Sequence, residues 1–164
     1  MRIALALALT VSGSVPVLAG DFPFMESEID SRFAKAQELV DTDIGFARQD
    51  CTSEGDSHAC AYTTTLGANV FFGYRESGPV STIIAGFDES STGKDAYNFF
   101  IVSAVAIHLD DLDAGFEKLP AAADSFIAQL RDNDLKVEVS LGNFSWKYFY
   151  GLGGTKDSMF IEAE

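Results

Sequence analysis

Residues 92–109 read TGKDAYNFFIVSAVAIHL, and the way this stretch must be packed decides the fold. Thr92 and Asp95 have the spacing of a capping box, so the spacing predicts a helix over about 94–109. Inside it Phe99, Phe100, Ile101, Val102 and Val105 leave almost no polar face. A helix that is apolar all round has to be covered all round. Either the flanking elements of one chain enclose it, or a second copy of the chain does. Because two further helices and two β segments supply layers on opposing sides, an enclosed helix in a monomer is the expected arrangement, with a twofold homodimer as the alternative.

Those flanking elements show in the hydrophobic period. From Phe46 to Phe87 β-rich runs near 46–51, 59–66, 69–75 and 79–87 are separated by turn residues, which predicts an antiparallel meander of four strands. The last run, Val80 to Phe87, is almost continuously apolar and so belongs in the interior of the sheet. Upstream, Met25, Ile29, Phe33, Ala36 and Val40 recur every three or four residues and predict a helix over 27–41. Ser27 and Asp30 stand as its capping box, and Glu28, Arg32, Lys35 and Glu38 form its polar side. Downstream, Leu119, Ala123, Phe126, Ile127 and Leu130 predict a helix from about 114 or 120 to 131, with Pro120 suited to a first turn. Strands near 135–141, 144–150 and 158–163 follow.

Helix, four strands, two helices and three strands is an α+β order, with the helices packed on one curved antiparallel sheet. In this order of elements the chain resembles the small fold of type III secretion chaperones, where a helix beside a curved sheet mediates dimerisation. The resemblance carries no sequence motif and implies no activity.

The N-terminus has a separate meaning. Met1-Arg2 supplies one positive charge, Ile3 to Val11 is an uncharged Ala/Leu-rich run, and Val17-Leu18-Ala19 presents small residues for cleavage. Residues 1–19 therefore read as a secretory signal peptide of bacterial style, and 20–164 as a single domain that is periplasmic or secreted, without a membrane anchor after cleavage. Cleavage would remove one Arg and no acid, so 25 acidic side chains would face ten basic ones. So negative a surface repels phosphate backbones, and nucleic acid is not an expected partner.

Cys51 and Cys60 are the two cysteines, joined by a polar stretch that reads as a loop. Export and an even count predict a disulfide, and since the spacing does not fit a Cys-x-x-Cys metal or redox centre the expected role is structural, a staple on a hairpin. Closing so short a loop stabilises by roughly 2–3 kcal/mol on the chain-entropy account.

Candidate chemistry fails motif by motif. Ser90-Ser91-Thr92-Gly93-Lys94-Asp95 has the setting of a phosphate-binding loop, yet Asp88 stands at the first glycine and Asp95 at the magnesium-binding hydroxyl position. Asp110, Asp111, Asp113 and Glu117 cluster between two helices, but Gly115 comes too early for an EF-hand loop. Nothing places a nucleophile beside His58 or His108. No metal and no cofactor is expected. Phe144, Trp146, Tyr148 and Tyr150 alternate along one strand face and are read first as core; if exposed, Trp146, Tyr148 and Tyr150 form a platform for a sugar or peptide, rimmed by Gly151 to Gly154. The resulting expectation is an exported, non-catalytic binding or protein-interaction module whose partner is an envelope or extracellular protein or a small ligand. A small secreted hydrolase working through a carboxylate pair is the alternative.

Overall fold

A computed structural model describes residues 20–76, 78–132, 136–151 and 157–164. The expected leader at 1–19 and residues 152–154 of the glycine-rich rim lie outside the described residues. Seven strands form one antiparallel sheet: β1 (Ala47–Glu54), β2 (Ser57–Thr63), β3 (Ala68–Arg75), β4 (Val80–Phe87), β5 (Lys136–Leu141), β6 (Phe144–Phe149) and β7 (Ser158–Ala163). Their spatial order is β1-β2-β3-β4-β7-β6-β5, so the last strand of the chain joins the N-terminal meander to the C-terminal hairpin. The α+β architecture is therefore the expected one.

The apolar run of β4 does occupy the middle of the sheet, paired with β3 and β7. Its side chains nevertheless alternate: Val80, Ile83, Ala85 and Phe87 are buried, whereas Ile84 on the opposite side is only half-buried. Helices cover one face of the sheet, and among the described residues none lies on the other. Phe33 packs on Phe72, Phe99 on Phe87, Phe100 on Trp146 and Phe126 on Tyr148, all on the covered face.

Three helices make that layer, α1 (Ile29–Val40), α2 (Gly93–Ile107) and α3 (Leu112–Arg131). The helix α2 lies between the other two and against the sheet, which buries Phe99, Phe100, Val102 and Val105 together within one chain and leaves Ile101 half-buried. Its start is capped as expected, with the Thr92 N–H donating to Asp95 Oδ2 at 2.7 Å. Ser103, polar in the middle of an apolar helix, accepts the indole N–H of Trp146 at 2.9 Å and donates to the Phe100 carbonyl at 3.0 Å. Every polar atom of that contact is thereby paired.

The structure corrects four local expectations. The first concerns α1, whose entry is not the Ser27/Asp30 box: a short 3-10 turn over Glu26–Glu28 precedes the helix, which begins at Ile29, and the Glu28 carboxylate accepts the Met25 N–H at 2.8 Å. Arg32 is not on the solvent side but 7% exposed, donating to the Ala106 carbonyl at 3.3 Å and pairing with Asp110. The end of α2 presents unsatisfied carbonyls there, and a guanidinium from α1 satisfies one while complementing the helix dipole. The third correction concerns Pro120: α3 takes the earlier of the two expected starts, near 114, and runs through Pro120 instead of using it in a first turn. Finally, the polar stretch between the cysteines is not a loop. Thr52, Ser53 and Glu54 pair with Ala59, His58 and Ser57, and the turn is confined to Gly55-Asp56, where Gly55 has φ +58°.

Candidate functional site

The aromatic stripe of β6 divides on burial. Trp146 and Tyr148 are 0% and 1% exposed beneath α2 and α3, while Phe144 and Tyr150 are half-buried at its ends. Tyr148 spends its hydroxyl inside the chain, donating to Asp157 Oδ2 at 2.6 Å, and the other oxygen of that carboxylate accepts the Gly151 N–H at 2.8 Å. Burial, with that hydrogen bond adding, pushes the Tyr148 phenol far above its ordinary range. The two rings at the centre of the stripe thus pack as core.

The motifs weighed for chemistry have structural employment. Asp95 caps α2. Asp88 accepts from Ser90 at 3.2 Å, and its backbone N–H bonds to the Gly67 carbonyl at 2.9 Å. A Cβ on Gly67 would lie 2.6 Å from Asp88 Oδ1, so this turn admits only glycine. Asp110 of the acidic cluster holds Arg32. The best-formed depression among the described residues, bounded by Ala104, Val105, His108, Phe116, Leu119 and Leu141, has no room for a ligand and no carboxylate in its wall.

Two surface features remain. On the uncovered sheet face, strand pairing aligns Ala61, Phe71, Ile84 and Phe160 in one row across β2, β3, β4 and β7. Phe71 is 48% exposed, and Phe149 meets Phe160 with ring centroids 5.8 Å apart. Ion pairs Lys147–Glu162 and Lys136–Glu138 close the β5–β6 end of the face. The hydrogen bond from Lys136 holds the Glu138 carboxyl below its usual range, and that from Lys147 to Glu162 raises the Lys147 ammonium.

The second feature surrounds the disulfide between Cys51 and Cys60, which lie directly opposite each other on β1 and β2. The Arg48 Nη2–H donates to Cys51 Sγ at 2.9 Å and to Cys60 Sγ at 3.2 Å, and Tyr74 Oη lies 3.4 Å from Cys60 Sγ. Glu26 pairs with Arg48 from the turn before α1. The cysteine pair was legible in the sequence. Its surroundings were not, since Glu26, Arg48 and Tyr74 come from three elements and no spacing relates them. No family profile, characterised protein or solved structure matches the chain.

Proposed function

We propose that the chain is an exported, non-catalytic interaction module and that the uncovered face of its sheet is the contact surface. Export rests on the leader-like residues 1–19, and the Cys51–Cys60 disulfide is consistent with an oxidising compartment. Among the described residues no helix is long and apolar enough to cross a membrane. One observation carries the reading: the row Ala61, Phe71, Ile84 and Phe160 is apolar, continuous over four strands and has Phe71 48% exposed, on a chain of formal charge −14. So acidic a protein has no need of apolar rings for solubility, and a grouped apolar row bounded at its β5–β6 end by ion pairs has the composition of a protein contact. The partner it fits is an envelope or extracellular protein offering an apolar helix or strand face.

A photoreactive phenylalanine analogue at position 71 of the full chain, expressed with its leader, tests this. The expected result is one discrete adduct that Thr82→Arg, an exposed change on the same face, abolishes without moving the melting temperature. The same probe at Lys35 on the exposed side of α1 gives none. Absence of an adduct at 71, or an adduct indifferent to Thr82→Arg, overturns the reading.

A further inference from the structure

We infer that the Cys51–Cys60 disulfide is a thiol-exchange site, attacked at Cys51 and releasing Cys60 as a thiolate held by Arg48 and Tyr74. Access differs between the two sulfurs' residues: Cys51 is exposed, whereas Cys60 is fully buried. An incoming thiolate, from a small thiol such as glutathione or from a protein dithiol, reaches the sulfur of Cys51. A bond forms between the incoming sulfur and Cys51 Sγ, the Cys51–Cys60 bond breaks, and its electron pair stays on Cys60 Sγ. That nascent anion has two donors already in place, the Arg48 Nη2–H at 3.2 Å and the Tyr74 hydroxyl at 3.4 Å; they act against the Glu26 carboxylate, whose Oε1 lies 3.8 Å from Cys60 Sγ and is itself paired with Arg48. A cation and a hydroxyl beside a sulfur stabilise the thiolate and make it the better leaving group. A second thiolate then attacks the mixed disulfide, takes over the incoming group and leaves Cys51 reduced.

The guanidinium is fixed rather than adventitious. Glu26 pairs with it from the turn before α1, and Asp30 of α1 lies 3.8 Å from its other terminal nitrogen. The strand carrying Cys51 places no buried residue in the core. All eight residues of β1 are exposed, so opening the bond unclamps an edge strand and leaves the packed layers in contact.

Incubating the oxidised protein with reduced glutathione, quenching with an alkylating reagent and mapping the peptides decides the matter. The expected product carries glutathione on Cys51 and the alkyl group on Cys60, in at least tenfold excess over the reverse. In a fixed glutathione redox buffer, Arg48→Met should lower the reduced fraction about tenfold, Tyr74→Phe should lower it several-fold, and Arg48→Lys should restore most of it. Amide exchange of β3 and β4 should be unchanged on reduction while that of β1 accelerates, which separates exchange from unfolding. Glutathione on Cys60, reduction no faster than global unfolding, or an Arg48→Met variant with wild-type exchange would each overturn the assignment.

Discussion

Ser103 shows how much a single polar atom decides in a core of this kind. Its hydroxyl is the partner of the Trp146 indole N–H, in a position completely removed from water. Ser103→Ala strands that donor, and a buried unpaired donor costs about 1–3 kcal/mol, so urea unfolding followed by the single tryptophan's fluorescence should show an unfolding free energy lower by that amount. Two tyrosines make the protein sensitive to alkali. Burial, reinforced by the Asp30 carboxylate and opposed by Arg48, pushes the Tyr62 phenol up to about 12, and burial raises Tyr148 further. Both folded values lie above the roughly 10 of an unfolded tyrosine, so the folded chain holds these protons more tightly. The stability this confers is whole below about pH 10 and is lost as the pH climbs toward 12. The melting temperature should thus be level from neutrality to that point and fall beyond it, less steeply in Tyr62→Phe. A profile that stays flat to pH 12 would contradict the assignment.

Among the elements α2 has the largest consequence. It is covered by α1, α3 and the sheet at once, so a charge at its centre meets no water and no partner. Phe100→Asp is expected to unfold the chain, at more than about 4 kcal/mol, with loss of cooperative melting; a folded variant would mean that this side of α2 is reached by solvent. The existence and type of each element were legible because apolar residues recur at periods of 3.6 and 2, which depend on neighbours along the chain. Boundaries were less so. The start of α1 moved because the Glu28 carboxylate reaches back to Met25, and α3 absorbed Pro120, an interior position that sequence rules penalise.

At the scale of the whole molecule the enclosure of α2 removes the reason to invoke a second copy over that helix. Light scattering of the native protein at micromolar concentration should give the mass of one mature chain, and intact mass spectrometry should place its first residue at Gly20 with both thiols oxidised. A scattering mass near twice that value would overturn the monomer. A mass that includes residues 1–19 would refute cleavage of the leader.

Local pattern alone determined that the chain is α+β, that its central helix needs covering by its own chain or by a second copy, that β4 is interior and that Cys51 and Cys60 pair. Each of these follows from composition or from spacing between near neighbours. Only the tertiary structure decided that β7 inserts beside β4, that the covered face claims Trp146 and Tyr148, and that the opposite face keeps Phe71 exposed. It alone set Arg32 against the end of α2 and Arg48 over the disulfide. The physical reason is one of range: a strand's period says which residues share a face, but which face is buried depends on the layer that lands on it. A guanidinium finds its partner through residues far away in sequence, Asp110 for Arg32 and Glu26 for Arg48, and no local spacing encodes that meeting.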